Sequence, residues 1–109
     1  TKLLTFSQSK SGSLGLETLL SSTLSLVNAK NISLKRAVEL LTSGPSSILN
    51  LNGSKISKGY SADFIIIDLN KSWIAKGEEM LSLSSNSCFE KFPMQGKVLS
   101  CWKDGKKIY

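Results

Sequence analysis

The sequence predicts an α+β fold in which helices come first and strands follow. Apolar residues recur at helical spacing between positions 16 and 41. An apolar, β-branched run at Phe64–Asp68 and an Asp-Gly dipeptide at positions 104–105 indicate strands in the second half. We therefore place the change from helices to strands between positions 51 and 60.

The first predicted helix follows a polar opening segment, residues 1–15, whose composition is typical of a loop. Ser13 or Gly15 is expected to cap the helix start, and residues 28–31 are expected to end it. Its apolar face is broad, which indicates a well-buried helix. The residues of this face are Leu16, Leu19, Leu20, Thr23, Leu24 and Val27.

A second helix is predicted at Leu34–Leu41, with Ser33 as its N-cap. Gly44 is expected to terminate this helix, and Pro45 is expected to be the first residue of a short third helix. Three apolar residues after Pro45 should anchor that short helix against the core. They are Ile48, Leu49 and Leu51.

The strands of the second half differ in the strength of their signals. Phe64–Asp68 is apolar at successive positions, so we expect a strand covered on both faces. Residues 70–94 are expected to be mostly loop, with one helical turn near Glu78. Two short segments around the Asp-Gly dipeptide, residues 97–102 and 106–109, predict a tight type I′ hairpin.

Charge and hydropathy exclude two kinds of partner. The formal net charge is +6, but the basic residues are scattered lysines and Arg36 is the only arginine. A nucleic-acid surface usually combines a basic patch with arginine forks or stacking aromatics, so we predict no nucleic-acid binding. No apolar run approaches the roughly 20 residues that span a bilayer, so we predict no membrane association and a cytoplasmic location.

Candidate metal ligands are scarce in this composition. The sequence has no histidine and two cysteines, Cys88 and Cys101, without CxxC spacing. Zinc sites in proteins are built mainly from clustered cysteine, histidine and carboxylate ligands. The sequence therefore predicts no metal bound by this chain alone, and two reduced thiols.

Acidic and aromatic residues are expected to have structural roles. Glu17 lies near a predicted helix start, where it can stabilise the helix dipole or pair with a neighbouring loop. Asp63 and Asp68 flank a strand, where turn and edge hydrogen bonds explain them. Trp73 and Trp102 are expected to be core or interface aromatics.

The segment Gly12–Thr18 has two glycines where a loop becomes a helix. Such a turn exposes backbone N–H groups at the positive end of a helix and can hold a carboxylate or a phosphate. The alternative is a glycine-permitted turn without a ligand.

Five segments together resemble the C-terminal part of dihydroorotases, which belong to the amidohydrolase superfamily. They are Gly12–Thr18, Ser43–Leu51, Ala62–Asp68, Ser82–Phe89 and Gly96–Val98. The resemblance implies that residues 1–52 form a loop and the last helices of a (β/α)8 barrel, and that residues 53–109 form part of a small β-sandwich domain. It also implies that Ser11 and Gly12 bind the substrate through the loop backbone, and it assigns no catalytic or metal-binding residue to this chain.

The function implied by the resemblance is reversible cyclisation of N-carbamoyl-aspartate to dihydroorotate in pyrimidine biosynthesis. The zinc of the parent enzyme would be held by residues ahead of Thr1, so we expect this chain to be a C-terminal fragment that is inactive alone. Two alternatives remain open: the tail of an allantoinase or dihydropyrimidinase, and a non-catalytic homologue that acts as a structural partner. A homodimer or association with aspartate transcarbamoylase is also expected from the resemblance.

Overall fold

A computed structural model describes residues 5–9 and 11–109 of the chain; residues 1–4 and Lys10, part of the predicted opening loop, lie outside this description. Helices precede strands along the chain, so the predicted α+β order is confirmed. The elements are a 3-10 helix at Phe6–Gln8, α1 at Leu19–Asn28, α2 at Leu34–Leu41, α3 at Ser43–Ile48, β1 at Phe64–Ile74, a second 3-10 helix at Gly77–Glu79, β2 at Pro93–Lys103 and β3 at Lys106–Lys107.

Helix α1 begins later than its apolar pattern predicts. Residues 16–18 form a turn, and Thr18 takes the N-cap position without a capping hydrogen bond from its side chain. The Thr18 hydroxyl instead donates to the carbonyl oxygen of Gly15 at 3.3 Å. The predicted caps Ser13 and Gly15 are therefore wrong, because the Ser13 hydroxyl is used in a contact with a distant loop.

Helix α2 has the predicted bounds and N-cap, since the backbone N–H of Arg36 donates to the Ser33 hydroxyl at 3.1 Å. The prediction for its end is wrong: α2 stops at Leu41, and both Gly44 and Pro45 lie inside α3. A Cβ at Gly44 would lie 3.0 Å from the carbonyl oxygen of Glu39. Glycine thus permits close approach of the two helices. Pro45 lies in the first turn of α3, where backbone N–H groups make no hydrogen bond within the helix, so proline costs no helical bond there.

The apolar residues at the end of α3 do not anchor it. Ile48 is 82% exposed, and Leu49 and Leu51 are also exposed, so the predicted burial is wrong for this chain. Residues 49–63 contain no helix or strand. Within the described part of the chain, nothing covers this apolar side of α3.

The described residues form an antiparallel sheet of three strands in the order β1-β2-β3. Strand β1 continues to Ile74, so the prediction of loop from position 70 is wrong there. The polar residues between Asp68 and Ser72 lie in a β-bulge of this strand. Because they are polar, the sequence pattern does not show that the strand continues. The predicted helical turn near Glu78 is confirmed at Gly77–Glu79.

The terminal hairpin is confirmed, although β2 begins at Pro93, before the predicted start. Asp104 and Gly105 have φ angles of 50° and 76°. Two successive positive φ angles are the requirement of a type I′ turn.

The core of the described chain is small and lies between α1, α2 and one side of the sheet. Its buried apolar residues are Leu24, Ala37, Ala75 and Met94. Ile65 and Ile66 on β1 are 50% and 48% exposed, so the predicted cover on both faces of this strand is wrong for this chain alone. No helix in the described residues is long and apolar enough to cross a membrane.

Candidate functional site

The two predicted substrate-binding residues lie side by side in the loop that precedes α1. Ser11 and Gly12 are both exposed. Gly12 has a φ of +76°, and a Cβ built there would meet no heavy atom within 4 Å. Glycine is therefore favoured at this position by backbone conformation, and the space beside it is open to a ligand.

A second loop, residues 84–88, holds the backbone of this first loop. The side-chain amide of Asn86 donates to the carbonyl oxygen of Gly12 at 2.8 Å. The backbone N–H of Leu14 donates to the carbonyl oxygen of Asn86, also at 2.8 Å. Next to them, the N–H of Cys88 donates to the hydroxyl of Ser13 at 2.7 Å. We call residues 11–14 the substrate loop, after the role that the sequence interpretation expects for Ser11 and Gly12, and we call residues 84–88 the clamp loop.

The sequence interpretation did not assign a role to the clamp loop. Its serine-rich composition, Ser84 to Ser87 around one asparagine, is ordinary for an irregular segment. A usable signal was present, because Asn and Ser side chains bind backbone groups in turns. What the pattern could not supply was the distant partner, 74 residues earlier in the chain.

The three carboxylates for which the sequence predicts structural roles have backbone partners. Glu17 accepts a hydrogen bond from the backbone N–H of Leu81 at 2.7 Å, which confirms its predicted pairing with a neighbouring loop. Asp63 accepts from the N–H of Asp104 at 2.8 Å, and Asp68 accepts from the N–H of Asn70 at 2.9 Å. These two contacts confirm the predicted turn and edge roles.

A cleft of about 680 Å³ lies beside the start of α1 and is lined by residues from α1, β1, β2 and the chain end. The Lys97 ammonium lies 5.3 Å from the centre of the Trp73 ring in this cleft. Lys76 donates to Glu79 at 2.9 Å, and this hydrogen bond, together with the charge of Glu79, raises the pKa of Lys76. The cleft therefore combines an apolar wall with lysine ammonium groups at its surface.

The residues of this chain do not fit a catalytic zinc site. The sequence has no histidine. Residues 5–9 and 11–109 contain no group of three or more cysteine, aspartate or glutamate side chains placed to hold a metal ion. Cys88 is exposed and Cys101 is half-buried, and both are free thiols. No catalytic step through a metal can be assigned to the side chains described here.

Comparisons with known proteins give one consistent family. The chain matches the family model described as the amidohydrolase family over residues 8–108. The dihydroorotase of Aquifex aeolicus is 39% identical over 98 residues, which are 90% of this chain and 23% of that protein. The dihydroorotase of Ehrlichia canis is 38% identical over 109 residues, which are 100% of this chain and 24% of that protein. The chain thus spans about a quarter of the length of these curated relatives.

Solved structures agree with this result. L-hydantoinase (dihydropyrimidinase) from Arthrobacter aurescens matches with a TM-score of 0.81 at 29% identity, over 89% of this chain and 22% of that one. A D-hydantoinase matches with a TM-score of 0.82 at 25% identity, over 91% of this chain and 22% of that one. These similarities confirm the resemblance on which the sequence interpretation depends.

Proposed function

This chain belongs to the amidohydrolase family, and on that basis we propose that it forms part of a dihydroorotase-like hydrolase. The proposed reaction is reversible cyclisation of N-carbamoyl-aspartate to dihydroorotate, a step of pyrimidine biosynthesis. The observation that carries the proposal is 38–39% identity to dihydroorotases over 90% or more of the chain.

The part proposed for this chain in that reaction is substrate binding. Ser11 and Gly12 would contact the small-molecule substrate through the loop backbone. Open space beside Gly12 supports this role, because a Cβ there would meet nothing within 4 Å and a ligand can therefore approach the main chain.

The metal of the proposed enzyme would be zinc, and its ligands would come from polypeptide outside these 109 residues. The absence of histidine from the sequence supports this division. The chain by itself would then bind substrate weakly and catalyse no ring opening.

In the proposed parent enzyme, this chain would contribute to two domains. Residues 1–52 would supply a loop and the last helices of a (β/α)8 barrel, and residues 53–109 would supply part of a small β-sandwich domain. Support comes from the segment at positions 49–63, which contains no helix or strand and separates the helices from the sheet. The exposed apolar residues Ile48 and Ile66 fit surfaces that the rest of such an enzyme would cover.

A second candidate is the tail of a hydantoinase or dihydropyrimidinase. The specific observation in its favour is the TM-score of 0.81 with the L-hydantoinase structure. The sequence identity to that protein, 29%, is lower than the 39% to a dihydroorotase. We therefore rank the dihydroorotase reaction first.

The test is a hybrid enzyme. In the dihydroorotase of Aquifex aeolicus, the segment that aligns with this chain is replaced by this chain, and the purified hybrid is supplied with zinc. Ring opening of dihydroorotate and of hydantoin is then measured in parallel, with the unaltered Aquifex enzyme as the positive control.

We expect turnover of dihydroorotate at a higher kcat/KM than turnover of hydantoin. Preference for hydantoin would support the second candidate. A hybrid that is folded by circular dichroism and turns over neither substrate would contradict both candidates, and would favour a non-catalytic structural partner.

A further inference from the structure

We propose that Asn86 is the positioning residue of the substrate loop. This inference rests on the proposed function of Ser11 and Gly12 as backbone ligands of the substrate. Asn86 would not touch the substrate. It would hold the loop in one conformation before the substrate arrives.

Asn86 binds the substrate loop through both its side chain and its backbone. Its side-chain amide donates to the carbonyl oxygen of Gly12 at 2.8 Å, and its own carbonyl oxygen accepts from the N–H of Leu14 at 2.8 Å. One residue therefore binds the substrate loop at two points, on either side of Ser13. The hydroxyl of Ser13 is held in turn by the N–H of Cys88 at 2.7 Å.

The clamp loop is itself held in place by hydrogen bonds and packing. The N–H of Asn86 donates to the hydroxyl of Ser84 at 3.2 Å. A Cβ at Gly77 would lie 2.0 Å from the carbonyl oxygen of Ser85, so the clamp loop rests directly on the backbone of this buried glycine. The N–H of Gly77 donates to Glu90 at 2.7 Å. The clamp loop is thus packed against the second 3-10 helix at Gly77–Glu79 and can act as a fixed support.

Side-chain packing does not hold Gly12 of the substrate loop in place. Gly12 has no heavy atom within 4 Å of the position of a Cβ, so neighbouring side chains do not confine it by packing. Glycine loses more conformational freedom on ordering than other residues. Hydrogen bonds to the clamp loop, together with the bond from the Ser13 hydroxyl to the carbonyl oxygen of Leu14 at 3.3 Å, therefore order this backbone. A pre-ordered loop binds with a smaller loss of entropy.

An amide side chain at position 86 suits the contact with Gly12. The carbonyl oxygen of Gly12 can only accept a hydrogen bond, so a side chain that binds it must be a donor. Asparagine supplies one, whereas an aspartate of the same shape supplies only acceptor oxygens at neutral pH. Asn86→Asp should therefore replace an attraction by a repulsion at Gly12 without changing the size of the side chain.

The first experiment uses this chain itself and measures amide hydrogen exchange by NMR. In Asn86→Asp we expect exchange of the Leu14 and Cys88 amides to accelerate about tenfold or more, because a lost hydrogen bond of ordinary strength corresponds to roughly that factor. Asn52→Asp is the matched control, since it makes the same charge change in an exposed loop position. Unchanged exchange at Leu14 in Asn86→Asp would overturn the proposal.

The second experiment places Asn86→Asp in the hybrid enzyme. A positioning role predicts that KM for dihydroorotate rises about tenfold while kcat stays within about twofold, the pattern of lost uniform binding. A fall in kcat at constant KM would overturn it. Ser13→Ala, which removes the bond to Cys88 and the 3.3 Å bond from the Ser13 hydroxyl to the carbonyl oxygen of Leu14, should give a smaller change of the same kind and serves if Asn86→Asp does not fold.

The two experiments separate this inference from the proposed function. If the hybrid enzyme turns over no dihydroorotate, the proposed function fails, and the exchange measurement still decides whether Asn86 orders the loop. If the hybrid is active and Asn86→Asp leaves both exchange and KM unchanged, the positioning role alone fails.

Discussion

The indole Nε1 of Trp73 donates a hydrogen bond to the carbonyl oxygen of Gly96 at 2.9 Å. The same oxygen accepts from the hydroxyl of Ser21 on α1. Strands β1 and β2 and helix α1 therefore meet at one backbone carbonyl, which lies opposite the β-bulge of β1. This junction fixes α1 on the sheet, and α1 is the helix that follows the substrate loop.

The two tryptophans should respond differently to the same substitution. The indole N–H of Trp102 is buried without a partner among residues 5–9 and 11–109, whereas that of Trp73 is paired. Trp73→Phe should lower the free energy of unfolding by at least about 1 kcal/mol more than Trp102→Phe does, because only the first loses a hydrogen bond. Urea unfolding followed by circular dichroism measures both values. Equal losses would show that the bond to Gly96 contributes nothing.

Glycine is required at position 96 by the backbone conformation and by the lack of space for a Cβ. Its φ is +93°, and a Cβ would lie 2.4 Å from a methyl group of Leu24, which is 5% exposed and cannot easily move away. Gly96→Ala should destabilise the chain by about 3 kcal/mol, the sum of backbone strain and overpacking. Gly105→Ala is the control, since its φ of +76° imposes strain but no atom lies within 4 Å. It should lose only about 1 kcal/mol. Similar losses at both positions would refute the packing argument.

Glu17 should matter for stability and not for chemistry. Glu17→Ala removes the acceptor for the N–H of Leu81 and should cost about 0.5–1 kcal/mol, because Leu81 is exposed and water can replace the lost acceptor. Glu17→Gln keeps an acceptor oxygen and should recover part of that loss. In the hybrid enzyme, Glu17→Gln should leave kcat for dihydroorotate unchanged. A kcat reduced a hundredfold or more would be the signature of general acid–base catalysis and would reverse this assignment.

The outer edge of β1 should make the isolated chain associate. In the described part of the chain, β1 pairs with β2 on one side and with no strand on the other. Ile66 on this strand is 48% exposed. Unpaired edges invite strand pairing between chains, so light scattering should show a mass that rises with concentration.

A charge on the edge strand should reduce this association. Ile66→Lys should shift the mass towards that of a monomer. Ile48→Lys is the control, because it adds the same charge on α3, at a residue that is 82% exposed and far from any strand edge in sequence. A wild-type chain that stays monomeric at all concentrations would show this prediction to be wrong.

Local signals in the sequence predicted those parts of the fold that depend on neighbouring residues. Ser33 capped α2 as expected, and Asp104-Gly105 formed the expected turn, because both depend on backbone groups within a few residues. The predicted burial of Ile48 and Ile66 was wrong. An apolar side chain indicates a surface that other residues should cover, but it does not show whether those residues belong to this chain. The polar residues between Asp68 and Ser72 hid the continuation of β1 through a bulge.

The candidate site was predictable only in part. The resemblance to dihydroorotases placed Ser11 and Gly12 in a loop before a helix, and the structure has them there. The contact between Asn86 and Gly12 joins positions 74 residues apart, and no local pattern encodes that pairing. Ser13 shows the same limit of prediction from local sequence. A serine hydroxyl near a helix start can accept a hydrogen bond from a helix N–H and so cap the helix, but here it accepts from the distant N–H of Cys88.

We propose above that these 109 residues supply substrate contacts to a dihydroorotase-like enzyme and none of its metal ligands. The most direct test is to dialyse the purified chain against zinc, determine the bound zinc by elemental analysis, and assay dihydroorotate hydrolysis on the same sample. We predict far less than one ion per chain and no turnover above the blank without protein. One firmly bound ion per chain, with turnover that a chelator abolishes, would contradict the claim.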